Sequence, residues 1–184
     1  PEHIQDVRVA FSIDKGRSFF RYSQNPVIDI GERKFGDPKV LRHEKTGKWI
    51  MVNICGLEQG SALFYCSDDL MKWEKFQEFK SPDYAPGKWE CPDFFPLAVD
   101  GDTGKVKWIL KVNHGNDIHA TRYFAGDFDG SEYRNVIPLH YTNPGADSYY
   151  AEVTFNGVRD RIIQMGWVRQ AQVAERPWTG IQSI

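Results

Sequence analysis

The chain has 184 residues, with 23 Lys and Arg against 25 Asp and Glu, so no basic field marks a nucleic-acid partner. Aromatics make up 14% of it and run from end to end, which suits strands and carbohydrate-stacking surfaces and argues against disorder. No apolar run approaches the roughly 20 residues that span a bilayer, and the three cysteines, Cys55, Cys66 and Cys91, match no zinc spacing.

Short apolar or alternating runs between turn residues predict strands over 7–12, 48–54, 62–67, 106–112, 120–128, 149–155 and 161–168. No long stripe of 3.6-residue period is present. The segment 68–79 has the length of a short helix, but it reads as a turn and a strand because its pattern recurs.

That recurrence is a repeat of about sixty residues. Lys48-Trp49-Ile50-Met51-Val52 returns as Lys107-Trp108-Ile109-Leu110-Lys111-Val112, a step of 59 from Trp49 to Trp108. Phe64-Tyr65-Cys66-Ser67-Asp68-Asp69 returns as Tyr123-Phe124-Ala125-Gly126-Asp127-Phe128-Asp129, each followed by an aromatic, Trp73 and Tyr133, 60 apart. Phe11-Ser12-Ile13-Asp14-Lys15-Gly16 and then Phe19 form an earlier copy of the tail, and Arg161-Ile162-Ile163-Gln164-Met165 a later copy of the middle strand. Repeats of this length made of several short strands predict an all-β fold, the blades of a β-propeller; a β-sandwich with similar turns is the competing expectation. Trp49 and Trp108 are expected in the blade core. About two full and two partial repeats fit, fewer than the roughly four to eight blades that close a propeller. The uncovered faces then need further segments or self-association.

Two acids stand where a blade's first strand would begin: Asp37 in Phe35-Gly36-Asp37-Pro38-Lys39-Val40, and Glu90 in Trp89-Glu90-Cys91-Pro92-Asp93-Phe94-Phe95. First strands line a propeller's central channel, so acids at equivalent places in adjacent blades converge. Glycoside hydrolysis needs such convergence, one carboxyl to protonate the leaving oxygen and another to attack or to stabilise the charged sugar. Taken singly, Gly36-Asp37-Pro38 is an ordinary turn and Glu90 a solvated strand-edge acid. Trp89 is the candidate stacking platform for a sugar. His114 and His119 flank a Gly-Asn-Asp loop and alternate in direction, so no metal is expected there.

The string Trp89-Glu90-Cys91-Pro92-Asp93-Phe94-Phe95 resembles the W-E-C-P-D-[FL]-F signature of glycoside hydrolase family 32, the invertases, inulinases and levanases. Phe35-Gly36-Asp37-Pro38-Lys39-Val40 resembles that family's F-R-D-P-K-V, and the segments around Asp14, Asp147-Ser148-Tyr149-Tyr150-Ala151 and Gly166-Trp167 resemble others in the same order. The resemblance implies a five-bladed propeller usually followed by a C-terminal β-sandwich. Residues 1–184 would then run from late blade two to early blade five, without the sandwich. It further implies retaining hydrolysis of β-fructosides such as sucrose, inulin or levan, with no cofactor, no metal and no membrane or nucleic-acid partner, by a secreted or periplasmic protein. Glu90 is implied as acid/base and Asp37 as transition-state stabiliser, with Trp89, Cys91, Asp147 and Tyr150 shaping the sugar pocket.

Two departures qualify this. The family's nucleophile is an Asp in a W-M-N-D-P-N-G segment, and neither Asn25-Pro26 nor Asn143-Pro144 carries that signature. Gly36 stands where the family has a substrate-binding Arg, which removes a fork of donors; Arg33 and Lys34 are the neighbouring cations. Both departures also suit a fructan-binding or partner-dependent relative without catalysis.

Overall fold

The computed structural model describes residues 4–81, 87–114, 120–137, 140–141, 149–158, 161–169 and 180–183. Strand β1 (Asp6–Val7) pairs with β4 (Ile28–Asp29), and β2 (Ala10–Phe11) with β3 (Phe20–Arg21). The single strand expected over 7–12 is therefore broken. Its cause is Asn25, whose side chain accepts from the Val9 N–H at 2.8 Å and donates to the Val9 carbonyl at 2.8 Å, standing in for a neighbouring strand.

The first full blade is an antiparallel meander of β5 (Phe35–Arg42), β6 (Trp49–Cys55), β7 (Ser61–Ser67) and β8 (Glu74–Lys80). The second places β9 (Trp89–Val99), β10 (Asp102–His114) and β11 (Ala120–Phe128) side by side, with β12 (Tyr133–Arg134) and β13 (His140–Tyr141) both on β11. A third sheet follows, β14 (Tyr149–Val158), β15 (Arg161–Arg169) and β16 (Gly180–Ser183). No helix occurs among the described residues, and 68–79 is a turn leading into β8, as its recurrence predicts.

Period-two alternation gives each blade two apolar faces, and three cores result. Ile50, Val52 and Ile54 of β6 face the second blade, where Trp89, Phe94, Trp108, Leu110, Val112 and Phe124 meet them. The opposite face of the first blade, Met51, Leu63 and Tyr65, packs on Val7 and Ile28. On the far side of the second blade Phe95, Ile109 and Ala125 carry Ile162 of β15. Each sheet thus presents one face backward and one forward, the stacking that defines propeller blades. Trp108 is in the core as expected. Trp49 is only half-buried, on the backward face beneath the Arg42 guanidinium 5.3 Å from its ring, because alternation points it away from the second blade.

The acidic turns recur in structure too. Asp69 accepts from the N–H groups of Met71 and Lys72, each at 2.8 Å, and Asp129 from those of Ser131 at 2.9 Å and Glu132 at 3.0 Å. Asp14 does the same for Arg17 and Ser18 at 3.0 and 2.9 Å. Trp73 and Tyr133 then fold back: the Trp73 indole donates to the Leu70 carbonyl, and the buried Tyr133 hydroxyl to the Phe124 carbonyl at 2.9 Å. Phe19 stays exposed.

These bonds hold the three carboxyls below their ordinary value of 3.8. The Ser18 hydroxyl and N–H act foremost on Asp14, the Lys72 N–H on Asp69, and the Arg134 guanidinium on Asp129. A depressed folded-state value stabilises the fold above pH 3.8 and loses that stabilisation as pH falls toward the folded value. The Tm gap between the protein and its Asp129→Asn variant should accordingly be widest near neutrality and close below about pH 3.8. Thermal melts across pH 2–7 check this, and a gap that does not change with pH counts against it.

Candidate active site

The first strands of the two full blades share one irregularity. In β5 the register runs Gly36 to Ile54 and then Lys39 to Val52; in β9 it runs Glu90 to Asn113 and then Asp93 to Lys111. Two residues, Asp37-Pro38 and Cys91-Pro92, therefore bulge opposite one residue of the next strand. Proline has no N–H for the ladder, and the residue before it turns into the left-handed region, Asp37 at φ 53° and Cys91 at φ 47°.

This register corrects the sequence-based equivalence by one residue. Asp37 shares its position with Cys91, and Glu90 shares its own with Gly36. The acids still converge, because the bulges lie side by side: the Cys91 N–H donates to Asp37 Oδ2 at 3.0 Å. Lys34 Nζ stands 4.0 Å from Asp37 Oδ2 and 4.0 Å from Glu90 Oε1, and Lys88 Nζ pairs with the same Glu90 oxygen at 2.8 Å. Lys34 and Lys88 are themselves register equivalents, each two residues before the position that Gly36 and Glu90 share. One residue beyond the prolines a further pair joins the blades, Lys39 Nζ to the buried Asp93 carboxylate at 2.8 Å. Asp93 also accepts from the Phe94 N–H at 3.1 Å.

Trp89 is not a stacking platform. It is 1% exposed and packs between Phe79 and Phe124, since alternation turns it into the inter-blade core while Glu90 faces out of it. Cys91 is half-buried, and none of the three cysteines forms a disulfide. Tyr150 lies in β14 with its backbone opposite Trp167. Asp147 and His119 fall outside the described residues. A cavity of about 740 Å³ follows residues 39–45 with Pro96 and Trp108, and neither acid lines it. Sequence reasoning missed Lys88, although the spacing of 54 that relates Lys34 to Lys88 also relates Phe35 to Trp89.

Successive antiparallel sheets, each offering one face backward and one forward, with acids brought together at the starts of the first strands of two of them, define part of a β-propeller. The chain belongs to glycosyl hydrolases family 32, whose N-terminal domain it matches over residues 2–184. It is 37% identical to a levanase of Bacillus subtilis over 96% of its own length and 28% of that protein's. To an invertase of Debaryomyces hansenii it is 32% identical, over 96% of its length and 34% of the relative's. Among solved structures, a fructofuranosidase of Schwanniomyces occidentalis complexed with fructose superposes with a TM-score of 0.80 at 30% identity, over 96% of this chain and 36% of that one. The chain thus spans about a third of the length of the relatives it matches.

Proposed function

We propose that the protein carrying this chain hydrolyses β-fructosyl bonds of the sucrose, inulin or levan type with retention of configuration. The observation that carries this reading is the meeting of Asp37 and Glu90 across two blades, with the Cys91 N–H of the second blade on the Asp37 carboxylate of the first. In this mechanism Glu90 gives its proton to the departing alcohol oxygen as the bond to the fructosyl carbon breaks, and then takes a proton from the water that releases fructose. Asp37, fixed by that N–H, accepts hydrogen bonds from fructosyl hydroxyls, which strengthen as the ring becomes cationic. The nucleophile that retention needs is assigned to the family's W-M-N-D-P-N-G segment, a string these 184 residues do not contain.

By the same reading the chain runs from late blade two to early blade five of a five-bladed propeller, and Asp147 and Tyr150 help to shape the sugar pocket. Secretion is inferred as well, since relatives include proteins called extracellular exo-inulinase. The test is product analysis with the full purified protein on sucrose, inulin, levan and arabinan. Fructose released from at least one of the first three is the expected result. No release from any of them, or pentose from arabinan alone, overturns the reading.

A further inference from the structure

We propose that Lys34 is a substrate-binding residue of this site, donating to a hydroxyl of the bound sugar from between the two acids. The inference rests on the reading of Asp37 and Glu90 as the fructoside-cleaving pair. Its ammonium is equidistant from Asp37 Oδ2 and Glu90 Oε1, at 4.0 Å each. That spacing is too long for a hydrogen bond, which needs about 2.7–3.2 Å, yet short enough for both charges to hold the cation in place. Neither acid therefore takes a short hydrogen bond from the Lys34 ammonium. A sugar hydroxyl entering beside the ammonium can accept one of its three donors. Lys34 is well covered, its side chain 17% exposed, and it also lines a recess of about 450 Å³ formed with Gly56 and Gln59, which neither acid lines.

Lys88 does not share this role. Its Nζ is closed onto Glu90 Oε1 at 2.8 Å and its side chain is more open, at 40% exposed. The two lysines occupy equivalent places in successive blades, so one repeated position supplies a clamp for the acid in one blade and a donor toward the ligand in the other. Gly36 makes room for this. It holds the register position of Glu90, and a Cβ there would meet only Gln5 Oε1, at 3.7 Å. A longer side chain at 36 would start from the register position that Glu90 holds in the next blade.

Steady-state kinetics of fructose release by the full protein test the assignment. Lys34→Met should raise KM about tenfold or more, the range for a lost hydrogen bond to a charged donor, with kcat changed less than about threefold because binding is lost equally from ground and transition states. Adding Gly36→Arg to Lys34→Met should bring KM back to within about threefold of the unsubstituted protein, since a guanidinium then points into the same space. If Lys34→Met does not fold, Lys34→Gln takes its place with a smaller rise in KM. A KM within about twofold of the original in a folded variant, or a double variant as weak as the single one, overturns the role of Lys34 while leaving the fructoside reading intact. Absence of hydrolysis by the unsubstituted protein overturns that reading, and the role of Lys34 with it.

Discussion

Glu90→Gln should lower kcat for fructose release from sucrose by about 10²–10⁴-fold, the usual contribution of a positioned general acid–base. The substitution keeps the shape of the side chain, but on the proposed mechanism it removes the proton that the departing alcohol takes. KM should change little, because the alcohol oxygen draws on that proton as the bond breaks and not when the substrate docks. The loss should also depend on the leaving group. A β-fructoside with an acidic phenol as leaving group departs without protonation, so its first step should suffer far less than that of sucrose. A variant with equal losses on both substrates would point to a positional role for Glu90, and one with full activity would remove it from the chemistry. The structure gives the positional alternative real content. Glu90 Oε1 is held by Lys88 at 2.8 Å and faced by Lys34 at 4.0 Å, so a neutral amide leaves two ammonium groups with a weaker partner. The leaving-group comparison separates the two, since disturbed lysines affect every substrate alike.

The strands and their grouping were legible because two signals of different range agree. Local alternation marks each strand, and the 59-residue step from Trp49 to Trp108 marks the blade. With both in hand, 68–79 reads as a turn and strand despite its helix-like length. The strand expected over 7–12 failed because a side chain sixteen residues away, Asn25, takes over the backbone groups of Val9, and no local pattern announces that.

At the site, residue types were legible and orientation was not. Trp89 beside Glu90 invites a role in stacking, but neighbours in a strand face opposite sides, so an acid that looks into the channel requires its neighbour to look into the blade. The same bulge that disturbs the ladder at Cys91-Pro92 also moved the equivalence of the acids by one position. Aligning the two prolines, Pro38 with Pro92, would have placed Gly36 opposite Glu90 and Lys34 opposite Lys88 from the sequence alone. What no alignment could supply is the 4.0 Å placement of Lys34 between the acids, which depends on how two bulges pack across blades.

The buried indole next to the acid also fixes what the loop before β7 must be. Gly60 donates its N–H to the Gly87 carbonyl at 2.8 Å, which brings its backbone flat against the Trp89 ring. A Cβ built there would lie 2.5 Å from Trp89 Cδ1 and closer still to Cγ. Trp89 has nowhere to retreat, since Phe79 and Phe124 hold its other sides and only 1% of it meets solvent. Gly60→Ala should therefore destabilise the protein by about 1–3 kcal/mol, the cost of forcing extra volume into a packed core, read as a lower midpoint in urea with an unchanged slope. Activity should fall further than the folded fraction explains, because the residue that must move is bonded directly to Glu90. The decisive variant is the double one: Trp89→Ala removes the ring atoms that the new methyl meets, Cγ, Cδ1 and Cδ2, so Gly60→Ala combined with Trp89→Ala should cost less than the two single changes added together. Strict additivity would mean that a methyl group at position 60 does not collide with the Trp89 ring. The requirement for glycine would then lie in the backbone of the 56–60 loop, not in the indole beside Glu90.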